Sequence, residues 1–339
     1  MKMRSVFAKT PYQFDVRAID VPEMGMHDVL VRVKACGLCG TDLRTAALAE
    51  AFEPIGHEVA GVIEAVGAAV ENVKPGDSVC LESGTFDRFS DLSRNGKVDK
   101  DKTGRSMFNS GVGTMGFAEY MVVPCECCVK FEGLPFAEAA LIEPLGVAYD
   151  LLKVAGVELG DDVLVYGIGP IGLFALRLAR LMGARNIYAA NRSGRGARDN
   201  LAKKWGADEV LHTDKCDPEK YPFAKGGVDK ILMTATPDAM PAAMKLLNVG
   251  GIMGFIGIGV NETQFVTFDM RRFHDEKLQI RASNAVPALY FPACLELLKS
   301  GMVDMRAMIS HKIRLDRFAE DVAAYNRDRA GALKAVMEL

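Results

Sequence analysis

Asp162-Val163-Leu164-Val165-Tyr166-Gly167-Ile168-Gly169-Pro170-Ile171-Gly172 joins a short apolar run to a glycine-rich turn. An apolar-periodic segment follows at once through Ile171, Leu173, Phe174, Leu176, Leu178 and Leu181. The run reads as a strand and the periodic segment as a helix, so the Gly-x-Gly-x-x-Gly triplet falls where it has physical meaning. Gly167 permits the tight turn, Gly169 lets the backbone approach a pyrophosphate, and Gly172 lets helix and strand pack closely. The helix that starts at Pro170 offers unpaired N–H groups, from Ile171 onward, to an anion. Strand, triplet and helix together predict a dinucleotide-binding fold.

The second strand of that fold decides which dinucleotide. NAD-binding folds place an acidic residue about 20 residues past the turn, on the ribose 2′-hydroxyl. Here the strand reads Asn186-Ile187-Tyr188-Ala189-Ala190 and continues Asn191-Arg192-Ser193-Gly194-Arg195, without a carboxylate. Asn191 can bond a ribose without repelling a phosphate, and Arg192, Ser193 and Arg195 could hold a 2′-phosphate by charge-assisted hydrogen bonds. The arginines also read as ordinary solvated loop charges. Loss of the carboxylate removes a specific repulsion, which favours NADP(H) over NAD(H).

Outward from this motif the chain changes character twice. From 148 to 285 strands and helices alternate: the opening motif, the strand at 186–190, Ile231-Leu232-Met233-Thr234, and Gly251-Ile252-Met253-Gly254-Phe255-Ile256. That alternation is the pattern of a doubly wound parallel sheet. Residues 1–147 instead carry strand-like runs with no intervening helices, at 29–33, 59–63, 77–81 and 119–123, predicting an antiparallel β-rich domain. The tail, 286–339, is mixed, with a helical run over Phe291–Leu298, and completes the first domain. The fold class expected is therefore α/β, a β-rich catalytic domain with a nucleotide-binding domain inserted. Ser83 to Thr114 is a polar excursion from the β domain, either functional or a solvated flap.

The 339 residues suffice for two such domains, and the net charge of −3 gives no reason to expect nucleic acid or an anionic membrane as partner. Apolar runs are short, and the start, Met1 to Phe7, lacks a signal-peptide core, so a cytoplasmic protein is expected. The eight cysteines then read as reduced thiols or metal ligands.

Catalysis needs more than a nucleotide site. Cys39-Gly40-Thr41-Asp42, Gly56-His57-Glu58 and Glu143-Pro144 offer sulfur, imidazole and carboxylate, the ligand types of zinc. Three protein ligands with one open position describe a catalytic site. Spacing alone leaves the other reading standing: a core cysteine, a structural histidine and surface carboxylates.

Taken in order, Cys39–Asp42, Gly56–Glu58, Val73-Lys74-Pro75-Gly76-Asp77, Gly116–Tyr120, Glu143-Pro144, Gly167–Gly172, Gly250-Gly251, Ile309–Lys312 and Ala332–Val336 make the chain resemble the zinc-dependent medium-chain alcohol dehydrogenases over essentially its whole length. Glu143-Pro144, where many members have a cysteine ligand, is similar to the polyol branch typified by sorbitol dehydrogenase. The resemblance implies a GroES-like catalytic domain, a Rossmann domain and a homodimer or homotetramer. It implies one catalytic zinc at Cys39, His57 and Glu143, directly or through water, with Glu58 coordinating transiently. The substrate would be a secondary alcohol of a polyol, sugar or cyclitol. Zinc would acidify its hydroxyl, Thr41 would accept or relay the proton, and hydride would pass to the nicotinamide.

Three departures stand out. Only Cys80 remains where the family usually carries four closely spaced cysteines, so no structural zinc is expected in the 80–115 lobe. Arg44 stands near the position where many relatives have a proton-carrying histidine. The interval from Cys39 to His57 is short, which suggests a trimmed loop. Cys125, Cys127 and Cys128 would alternate faces on a strand, a poor arrangement for a second zinc. His27, His212 and His274 fall outside the motifs, Trp205 reads as packing, and Arg271 and Lys277 lie near enough to the last Rossmann strand to approach a cofactor. Two rival functions remain: a metal-free quinone or enone reductase of the same fold, and a non-catalytic NADP-binding redox sensor.

Overall fold

The computed structural model describes residues 1–108 and 114–339. They form two compact units: Met1–Gly146 with Val286–Asp328 and Lys334–Leu339, and Val147–Ala285 with Arg329–Leu333.

The first unit opens with the hairpin β1 (Lys2–Lys9) and β2 (Gln13–Asp20), followed by β3 (Asp28–Gly37), α1 (Gly40–Leu48), β4 (Glu53–Pro54), β5 (Glu58–Val66) and β6 (Ser78–Leu81). A single helical turn α2 (Asp91–Arg94) precedes β7 (Tyr120–Pro124), β8 (Cys128–Lys130) and α3 (Phe136–Ala140). In β3, Val29, Val31, Val33 and Ala35 are buried while Arg32 faces solvent, the period-two pattern of a strand with one core face. This strand is the hub of the larger sheet, pairing β5, β7 and the C-terminal strand antiparallel. Cys125–Cys127 form a 3₁₀ turn, so the alternation expected of a strand there gives way. All three cysteines of the cluster are buried.

Within the polar excursion, the described part is organised around Asp101. Its carboxylate accepts hydrogen bonds from the hydroxyls of Ser90, Ser93 and Thr103 and from the Thr103 N–H. These four donors hold the Asp101 carboxyl well below the usual carboxylate range, the Ser90 hydroxyl first. Residues 109–113 of the excursion lie outside the described residues.

The second unit follows α4 (Ile142–Ala155) with β9 (Asp162–Tyr166), α5 (Pro170–Leu181), β10 (Asn186–Asn191), α6 (Gly196–Trp205) and β11 (Glu209–His212). It continues through β12 (Val228–Met233), α7 (Met240–Met244), β13 (Leu247–Phe255), α8 (Met270–Asp275) and β14 (Gln279–Ala282). All neighbours in its sheet are parallel, in the order β11-β10-β9-β12-β13-β14. Val163, Leu164 and Val165 are buried without alternation because helices cover both faces. Phe174 of α5 stacks on Trp205 of α6 with centroids 5.7 Å apart, which makes Trp205 a packing residue.

The chain returns to the first unit with α9 (Phe291–Lys299), β15 (Ile309–Ile313), α10 (Phe318–Arg327) and β16 (Lys334–Glu338). β15 and β16 are parallel to one another, the one parallel step in a sheet ordered β15-β16-β3-β5-β6-β8 among the described residues. The register sets Val336 and Glu58 on either side of Gly37, at the end of β3.

Candidate active site

Cys39 is the N-cap of α1, and the third residue of that helix, Asp42, builds the site. One carboxylate oxygen of Asp42 accepts the Cys39 N–H and the other the Gly56 N–H, each at 2.8 Å. A single buried side chain therefore ties the cysteine turn to the histidine turn, satisfying a helix-end N–H in passing. Gly56 has φ of +100°, and a Cβ there would lie 2.6 Å from the Phe117 nitrogen, so only glycine makes the turn that presents His57.

Ligand atoms of Cys39, His57 and Glu58 lie within 4.8 Å of one another. Glu58 is fully buried, and its Oε2 has no hydrogen-bond partner. Nδ1 of His57 is 3.7 Å from Asp42, and the Phe108 ring lies 5.6 Å from the imidazole. Thr41 Oγ1 stands 3.7 Å from Cys39 Sγ. Burial alone would depress the imidazole's pKa; the Cys39 thiol, Asp42 and Glu143 reverse this and raise it well above its ordinary value. Glu143, in the first turn of α4, is buried beside these groups but outside the closest cluster. Burial pushes its carboxyl up to about 7, against the pull of His57.

Sulfur, imidazole and carboxylate are the donors zinc takes, and three of them leave one position of a tetrahedron free. A buried oxygen without a partner is costly unless a cation or donor meets it. The residues fit a metal ion.

In the second unit, Gly167 ends β9 with φ of +98°, and Gly169 caps α5 with Pro170 and Ile171 in its first turn. A Cβ on Gly172 would sit 2.0 Å from the Gly167 carbonyl, whereas one on Gly169 meets nothing closer than 4.0 Å. Gly172 is thus demanded by packing; Gly169 borders open space, as a pyrophosphate approach requires. The Thr234 hydroxyl donates to the Gly167 carbonyl and braces the turn. At the end of β10 the Asn191 amide donates to Asp199 at 3.3 Å, and Asp199 also holds Nε2 of His212 at 3.0 Å. Ser193 donates to Asp214 through both N–H and hydroxyl, each at 2.7 Å. The side chains of Arg192 and Arg195 make no hydrogen bond or ion pair among the described residues.

Residues 25–133 match the alcohol dehydrogenase GroES-like domain, and residues 170–300 the zinc-binding dehydrogenase family. L-Idonate 5-dehydrogenase of Vitis vinifera is 31% identical over 337 residues, covering 94% of this chain and 90% of its own. Sorbitol dehydrogenase 1 of Saccharomyces cerevisiae is 28% identical, covering 87% and 86%. A structure described as a zinc-binding dehydrogenase from Sinorhizobium meliloti 1021, with NADP bound, aligns over 100% of both chains with a TM-score of 0.85 and 26% identity. The chain belongs to the zinc-dependent medium-chain dehydrogenases.

As a medium-chain dehydrogenase, the protein is an NAD(P)-dependent oxidoreductase with a GroES-like domain and a Rossmann domain. No described helix is long and apolar enough to cross a membrane. Several residues that shape this dehydrogenase's site had no role assigned from sequence. Asp42 was visible as the third helical residue after a cap, a capping signal. Lys334 stands as a lone charge in the apolar strand run Ala332–Val336, the sign of a buried paired group. The bracing by Asp199 and Thr234 joins distant segments and left no local signal. Arg44 lies in α1 with no partner among the described residues. Arg271 pairs with Asp275 on the surface, at 3.3 Å. Among the described residues no second group of three ligands gathers around Cys125, Cys127 and Cys128.

Proposed function

We propose that this dehydrogenase interconverts a secondary alcohol of a polyol, sugar or cyclitol and the corresponding ketone, with NADP(H) preferred over NAD(H). The observation that carries the reading is the meeting of ligand atoms of Cys39, His57 and Glu58, with one oxygen of the buried Glu58 carboxylate left unpartnered. These three would hold one zinc ion, with Glu143 reaching it through water or directly. Zinc held there would supply Lewis acidity toward a substrate hydroxyl, and a nicotinamide would be the hydride acceptor. Asp42 fixes the Cys39 and His57 turns, so the ligand atoms need little reorganisation. Thr41, whose hydroxyl lies beside Cys39, would accept or relay the hydroxyl proton. Phe108, against His57, covers the imidazole and limits water around it.

Gly167, Gly169, Pro170, Ile171 and Gly172 would receive the pyrophosphate, and Asn191 the ribose. Ser193 is engaged with Asp214, which leaves Arg192 and Arg195 as the groups for a 2′-phosphate. The names of the idonate and sorbitol relatives support the substrate class. The family supports a homodimer or homotetramer and a cytoplasmic setting.

The test is reduction of NADP with sorbitol, xylitol and L-idonate, with and without a zinc chelator. Turnover of at least one, lost on chelation and restored by zinc, is expected. Enone or quinone reduction that survives chelation overturns the reading in favour of a metal-free reductase.

A further inference from the structure

Asn191 closes β10 in register with His212, which closes β11. Both therefore lie at the carboxyl ends of parallel strands, the edge along which open α/β sheets take their ligands. The backbone of Asn191 is fixed there, its carbonyl accepting the Thr213 N–H at 2.9 Å. Its side chain is fixed separately. Asp199 comes from the first turn of α6, where its own N–H donates to the Arg195 carbonyl at 3.1 Å. One oxygen of its carboxylate accepts the Asn191 amide at 3.3 Å, and the other accepts Nε2–H of His212 at 3.0 Å. Side-chain exposure is 17% for Asp199 and 33% for His212, so the pair lies mostly inside the protein.

We propose that Asp199 is a positioning residue for the cofactor ribose: it fixes the Asn191 amide before the nucleotide binds, and His212 fixes Asp199 in turn. The proposal rests on the assignment of the ribose to Asn191 made above. The terminal torsion of an asparagine is broad, so an unbraced amide has to be ordered when its ligand arrives. Asp199 restrains that torsion by accepting one N–H, and the amide keeps a second N–H and an oxygen for the sugar. This ribose is common to NAD(H) and NADP(H), so the effect falls on both alike, unlike that of the two arginines.

Fluorescence titration of the whole chain with NADH and NADPH tests this without turnover, using Asn191→Ala, Asp199→Ala and the double variant. Asp199→Ala should weaken both nucleotides about three- to tenfold. In the Asn191→Ala background the same change should cost nothing further, because Asp199 acts through that amide. Asp199→Asn should bind close to wild type: it keeps an acceptor for Asn191, and the other tautomer of His212 accepts its amide. His212→Ala alters a more exposed position and keeps the test open if Asp199→Ala does not fold. Its loss should be smaller and should likewise vanish with Asn191→Ala. Unchanged affinities in Asp199→Ala, a loss confined to one nucleotide, or an equal loss with and without Asn191 overturns the proposal alone. An Asn191→Ala variant that binds both nucleotides like wild type overturns the ribose assignment and the proposal with it.

Discussion

Arg192 and Arg195 follow β10, where the proposed function puts the ribose, and neither side chain has a partner within the described residues. A hydrogen bond to a charged group contributes about 1.5–3 kcal/mol, so losing it weakens binding roughly ten- to a hundredfold. Arg192→Ala/Arg195→Ala should therefore weaken NADPH by that factor while leaving NADH nearly unchanged, measured by nucleotide fluorescence titration. Equal losses for both nucleotides would assign the arginines to general steering instead. Asp214 sets a bound on this discrimination. Its carboxylate, held low by the Ser193 hydroxyl and N–H, stays negative beside the same loop.

Two glycines of one turn make opposite demands on the β9–α5 element. An alanine methyl at Gly172 would press on a backbone carbonyl 2.0 Å away, which cannot move without unseating the turn that Thr234 braces. At Gly169 the methyl has room. Gly172→Ala should lower both the melting temperature and nucleotide binding. Gly169→Ala should leave stability within about 1 kcal/mol and weaken the nucleotide selectively. A Gly169→Ala variant that binds NADPH like wild type would remove the turn from the pyrophosphate site.

This element was also the most legible in the sequence, because its chemistry is local. A strand run, a triplet and a periodic helix are contiguous, and each glycine's role follows from its neighbours. The β domain was legible as strands, though the parallel β15–β16 step and the 3₁₀ turn at Cys125–Cys127 were not. Nothing local marks a strand that pairs across the whole chain length. The candidate metal ligands required the resemblance, since Cys39, His57 and Glu58 are brought together by Asp42 and the β3–β5 register. Lys334 meets Glu58 from 276 positions away, a separation at which periodicity carries no information.

For the molecule as a whole, the dependence of stability on pH contains an unusual contribution from Glu82. Burial pushes its carboxyl up to about 8 from an ordinary 4.5. Between those values the folded protein keeps a proton that the unfolded chain releases. The contribution is therefore full below the ordinary carboxylate range and is lost as pH rises toward about 8. Glu82→Gln removes the liability: near pH 5 the variant and wild type should melt closely, and near pH 9 the variant should melt higher. A constant difference across that range would show Glu82 to be solvated in the folded state.

The proposed function requires one catalytic metal ion per chain, held at Cys39, His57 and Glu58. Asp101 with Ser90, Ser93 and Thr103 occupies the excursion from which the family's usual four cysteines are missing. The most direct test is zinc content per chain, by elemental analysis of protein purified without added metal, in wild type and in Cys39→Ser. About one zinc in wild type is predicted. Cys39→Ser should lose it together with turnover while NADPH binding persists. A wild type with no zinc under mild purification, or a Cys39→Ser enzyme that still turns over, would contradict the zinc mechanism.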